Sequence, residues 1–76
     1  MLPKSTNTAI NQNANWTTTK GNYCTYSYYA GTETGNPSGS TDNIQKVEHY
    51  NGSNDLVFTV TYEWDAGDRI VKETCS

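Results

Sequence analysis

Between Leu56 and Trp64 the chain alternates: Leu56, Phe58, Val60, Tyr62 and Trp64 take every second position, and Thr59, Thr61 and Glu63 take most of those between. Side chains of an extended strand point alternately to opposite faces, so this spacing predicts a half-buried β-strand. A lone strand leaves its backbone donors and acceptors unmet. Its sequence neighbours must therefore pair with it.

Candidates lie on both sides. Ile44 to Tyr50 reads as a strand entering the turn Asn51-Gly52-Ser53-Asn54, where Asn-Gly accepts the positive φ that tight hairpins require. A four-residue connection places Val47 opposite Phe58 and His49 opposite Leu56. Asp65-Ala66-Gly67-Asp68 forms the next turn and Arg69 to Cys75 the last strand, with Tyr62 opposite Val71. Upstream, Tyr23 to Tyr29 is rich in aromatic and β-branched residues and reads as the first strand, with Cys24, Tyr26 and Tyr28 on one face and Tyr23 and Tyr29 on the other. Gly31 to Asn43 is a flexible loop with several turn formers. No stretch sustains a 3.6-residue period. The expected fold is all-β: about four antiparallel strands in hairpin (meander) order, forming a small curled sheet over residues 23–76, with residues 1–22 as a polar arm or linker.

That arm holds few apolar side chains, so it reads either as a disordered leader or as a strap lying along a neighbouring sheet edge and pinned by Trp16. At 76 residues the chain makes one domain with a small core. Six Tyr and two Trp against one Phe mean that much of the available burial carries a polar edge. Five basic residues and a net charge of −3 leave no Lys/Arg stripe for a phosphate backbone, so nucleic acid is not an expected partner. No apolar run is long enough to span a bilayer, and no apolar signal region follows Met1-Leu2-Pro3-Lys4. Membrane insertion is not expected, and either the chain is cytosolic or, as an extracellular or cell-surface protein, it has already lost a leader.

Cys24 and Cys75 lack the spacing of a zinc or redox motif, and a single His adds too few ligands for a metal. A disulfide between them is the economical reading, with two buried free thiols or a link between chains as alternatives. Closing a loop of roughly 50 residues stabilises a fold by about 4 kcal/mol in the chain-entropy model. Such a bridge would place the protein outside the reducing cytosol and requires the first and last strands to approach each other. Asn15-Trp16-Thr17 and Asn51-Gly52-Ser53 are N-glycosylation sequons, making Asn15 and Asn51 candidate acceptors, whereas Pro37 excludes Asn36. Trp16, Tyr23, Tyr28 and Tyr29 are candidate contact residues for assembly or binding. Aromatic core packing is the plainer account of the tyrosines.

A shift of fourteen residues superposes Tyr50-Asn51-Gly52-Ser53-Asn54-Asp55-Leu56-Val57 on Trp64-Asp65-Ala66-Gly67-Asp68-Arg69-Ile70-Val71. Each unit is one turn plus the start of one strand. Trp64-Asp65-Ala66-Gly67-Asp68-Arg69-Ile70, with Phe58 to Glu63 before it, resembles the tyrosine-aspartate (YD) repeat of bacterial Rhs-type surface and secreted β-proteins. Here Trp64 stands for the tyrosine, Gly67 comes one place early and Asp68 precedes Arg69. The resemblance covers about residues 44–74. It implies a scaffold role, with Asp65 and Arg69 ordering the turn. Two or three units cannot close a shell, which leaves a small sheet or a piece of a larger assembly.

An enzyme is hard to build from these residues. His49 is the sole imidazole, read as a surface or half-buried strand residue, and the pairs Asp65/Asp68 and Glu48/Glu63 are better explained by turns and wet faces than by a glycosidase dyad. No cofactor and no metal site is expected. The chain reads as a non-enzymatic structural protein, a filament or shell subunit joined to copies of itself or to another surface protein through sheet edges and the arm. The alternative is a monomeric module that binds glycan or protein through Tyr and Trp.

Overall fold

A computed structural model describes residues 13–76. Four strands, β1 (Tyr23–Tyr28), β2 (Ile44–Tyr50), β3 (Leu56–Trp64) and β4 (Ile70–Cys75), form one antiparallel sheet in the order β1-β2-β3-β4. The expected all-β meander is the fold. Among the described residues a 3₁₀ turn, Ala14–Thr18, precedes the sheet. Residues 1–12 of the expected arm lie outside the described residues, while the part from Asn13 onward packs on the sheet.

The pairing is Val47 with Val60 and His49 with Phe58 in the central hairpin, and Tyr62 with Glu73 in the next. These partners are two residues away from the expected ones. Each hairpin gains one extra residue just past its turn: Val57 between the pairs His49–Phe58 and Tyr50–Leu56, and Val71 between Glu63–Lys72 and Trp64–Ile70. A bulge of this kind breaks the alternation locally. It turns out Leu56, which the period-2 pattern assigned to the core but which is 50% exposed.

One face of the sheet holds the core. Val47, His49, Val60, Tyr62 and Trp64 are buried there, with Cys24, Tyr26, Phe58 and Ile70 packed around them. The other face carries Thr25, Lys46, Glu48, Thr59, Thr61 and Glu63, half-buried or exposed. A single sheet cannot seal its own apolar face. Two segments do so. At one end lies the 3₁₀ turn; at the other lies the loop joining β1 to β2.

That loop is far more ordered than its composition suggests. Asn36 is fully buried, donating through Nδ2 to the Gly31 and Ser40 carbonyls and accepting through Oδ1 from Asn43 Nδ2. Asn43 Nδ2 and Ser38 Oγ both donate to Asp68, which ties the loop to the β3–β4 turn. The Trp64 amide donates to the Gly35 carbonyl at 2.7 Å. Gly35 sits at φ 92°, and a Cβ there would stand 2.7 Å from the Tyr29 hydroxyl, so only glycine fits.

Two expectations are corrected here. Cys24 and Cys75 are unpaired, half-buried and exposed respectively. They lie on opposite edges of an open sheet, three strand spacings or about 14 Å apart, too far for a disulfide. Tyr29, expected on the face opposite Tyr26, is buried instead in the same core at 3% exposure. β1 ends at Tyr28, so strand alternation no longer governs Tyr29: its amide donates to the Asn43 carbonyl and its hydroxyl to the Tyr62 carbonyl.

Candidate functional site

Two features of the sheet are open to partners: a cavity beside the 3₁₀ turn and the outer edge of β4. The cavity is built from Trp16 outward. Its indole N–H donates to the Tyr50 carbonyl at 2.8 Å, and its ring meets Phe58 and His49 edge-on, at 5.3 and 5.6 Å between centroids. Phe58 and His49, cross-strand partners, stack at 4.1 Å and 11°. These contacts hold Trp16 over the sheet.

Asn13 completes the arrangement. Its Nδ2 donates to the Tyr62 hydroxyl at 2.7 Å, and its Oδ1 lies 2.8 Å from His49 Nε2. With Asn13 Oδ1 as the acceptor, His49 Nε2–H is the donor of this pair. His49 is 1% exposed, more deeply buried than a strand surface position implies. Burial pushes its pKa below the ordinary 6.5. The Tyr62 hydroxyl is pushed upward, first by burial and also by the nearby Glu73. Neither group is charged near neutrality.

Between this cluster and β4 lies a cavity of about 410 Å³, lined by Asn13, Asn15, Trp16, Phe58, Val60, Tyr62, Glu73 and Cys75. The register explains the membership, since Glu73 faces Tyr62 and Cys75 faces Val60 across the β3–β4 ladder. Glu73 makes no ion pair among the described residues, whose two salt bridges are Arg69–Asp65 and Lys72–Glu63. Among the described residues, three rings and one carboxylate line the cavity, and no basic side chain does.

The β4 edge follows from the hydrogen-bond pattern. Thr59 and Ser76 exchange both backbone hydrogen bonds at 2.9 Å. Along an antiparallel ladder such pairs alternate with pairs that do not bond each other, so the backbone groups of Glu73 and Cys75 point away from β3. Side chains along β4 are exposed from Val71 onward.

Of the residues singled out from sequence, Trp16 and Cys75 line the cavity. Tyr23 stacks on Tyr50 on the other face, 5.0 Å between centroids, and bonds Asn54 Oδ1. Tyr28 is 45% exposed, while buried Tyr29 presents no contact surface. Asn15 is exposed on the 3₁₀ turn. Asn51 Oδ1 accepts from the amides of Ser53 and Asp55 within its turn. Asn13 and Glu73 were not legible as site residues, because an Asn in a polar arm and a Glu on a strand carry no signal until the register joins them. No group of three or more His, Cys, Asp or Glu suited to a metal ion occurs among the described residues. No helix among them is long and apolar enough to cross a membrane.

No protein-family model, no curated protein and no solved structure matches the chain.

Proposed function

We propose that this chain is a non-enzymatic structural β-domain whose sheet continues across the outer edge of β4 onto another copy of itself. The observation that carries this reading is the one-sided pairing of β4, whose Glu73 and Cys75 backbone groups face outward beside exposed side chains. Such an edge is a template for strand addition. β1, the other edge, has the 3₁₀ turn packed against it.

The repeated turn supports a scaffold role of the YD-repeat kind. Asn51 and Asp65 each accept two backbone amides through Oδ1, and Asn54 and Asp68 each take a left-handed conformation, at φ 65° and 61°. Asp65 also pairs with Arg69 at 2.9 Å. Placement at a cell surface or outside the cell rests on that resemblance alone, since the unpaired thiols withdraw the argument from a bridge.

Sedimentation velocity of the full chain over a wide concentration range tests the reading. Wild type should show concentration-dependent association. Glu73→Pro removes an outward N–H and its side chain but no ladder hydrogen bond, so it should stay folded and monomeric, whereas Thr74→Pro cuts the internal ladder and should lose structure. A wild-type chain that remains an 8.4 kDa monomer at millimolar concentration would overturn the proposal.

A further inference from the structure

The cavity between the 3₁₀ turn and β4 has a composition that selects by charge. Trp16 and Phe58, both half-buried, line the opening with aromatic surface over the nearly sealed Tyr62 ring, and Glu73 adds a full negative charge at the same opening. Among the described residues, Glu73 has no cationic partner and no Lys or Arg lines the space. An anion would find nothing to neutralise it there. A neutral ligand would gain nothing from the carboxylate beyond a hydrogen bond. A cation with an apolar coat gains from both elements: the rings accept its methyl or methylene surface and the carboxylate balances its charge.

We propose that this cavity binds a small organic cation of the quaternary-ammonium type. The walls are already in place before any ligand arrives. Trp16 is held by its indole hydrogen bond to the Tyr50 carbonyl and by edge contacts to Phe58 and His49; the Tyr62 hydroxyl is held by Asn13. A rigid aromatic wall spares the ligand the ordering cost of assembling one. Glu73, projecting from β4 opposite Tyr62, supplies the charge from the open side. The site is independent of the edge reading, because it uses the core-facing side chains of β4 and not its outward backbone.

The test is an NMR titration of the full chain with choline chloride, monitoring the Trp16 indole N–H, with 3,3-dimethyl-1-butanol as the uncharged counterpart of the same shape. Sodium chloride corrects for ionic strength, and methyl β-glucoside serves as a neutral sugar. Choline should shift the Trp16 signal saturably in the millimolar range, and the uncharged counterpart should bind at least fivefold more weakly. Glu73→Gln, a change at an exposed position, should weaken choline at least fivefold and leave the counterpart unchanged. Equal binding of choline and its counterpart, no shift at Trp16 with choline, or tighter binding of the glucoside than of choline would each overturn the proposal.

Discussion

Tyr50 and Trp64 hold the same place in consecutive hairpins and lie on opposite faces of the sheet. Tyr50 stacks on Tyr23 on the wet side, whereas Trp64 is buried in the core with its indole N–H donated to the Ile44 carbonyl. The equivalence runs through the whole ladder: every pair from Lys46–Thr61 to Tyr50–Leu56 recurs fourteen residues on, from Val60–Cys75 to Trp64–Ile70. In a meander, successive turns lie at opposite ends of the sheet, so the rotation relating one hairpin to the next must exchange the two faces. Equivalent residues therefore cannot share a burial role. His49 is core and its counterpart Glu63 pairs with Lys72 outside; Leu56 is exposed and its counterpart Ile70 packs on the core.

The turns, by contrast, should respond alike. Asn51→Ala removes the acceptor for two amides and should cost about 1–2 kcal/mol, read from urea unfolding. Asp65→Ala should lower the melting temperature by at least as much, because it also loses Arg69. A large loss at one position and none at the other would break the equivalence.

Gly35 should be irreplaceable. Gly35→Ala combines an unfavourable positive φ with a contact of 2.7 Å to the Tyr29 hydroxyl, and should destabilise by about 1–3 kcal/mol. Gly31→Ala, where an added Cβ meets nothing within 4 Å, should be near neutral. Similar urea midpoints for the two variants would contradict the loop packing.

Acid should weaken the fold in two stages. His49 has a depressed pKa in the folded chain, so below its ordinary value of 6.5 the unfolded chain binds the proton first and stability falls as pH falls, until the lower folded value is passed. Asp68 is held below its ordinary 3.8, first by Ser38 and then by Asn43. Its contribution is present above that value and is lost as pH falls beneath it. His49→Phe should flatten the first stage and Asp68→Asn should reduce the second, to which Asp65, also held low by the Arg69 amide, contributes, as seen in urea midpoints taken between pH 8 and 2.5. A first stage that persists unchanged in His49→Phe would exclude the imidazole as its source.

Both thiols should titrate with a disulfide reagent in the native protein, Cys75 first. Cys75 is exposed, while burial raises the Cys24 thiol pKa and so lowers its thiolate fraction. Recovery of an intact mass two hydrogens short of the free dithiol would reverse this.

Strand existence, order and turn positions were all written locally. Alternation from Phe58 to Trp64 marks β3, and Asn51-Gly52 and Asp65 to Asp68 mark its two ends. Such signals need only neighbouring residues, because they reflect backbone preference and the pleat. What the chain alone could not convey was the outcome of longer-range contacts. A turn one residue longer than expected and the extra residue past it, Val57 or Val71, together shifted each register by two, the buried Asn36–Asn43 pair turned a polar loop into a lid, and Asn13 and Trp16 folded onto the sheet that follows them in sequence. The separation of Cys24 from Cys75 belongs here too. Whether two edges of a sheet meet depends on its closure, which no residue specifies by itself and which the packing of all four strands decides together.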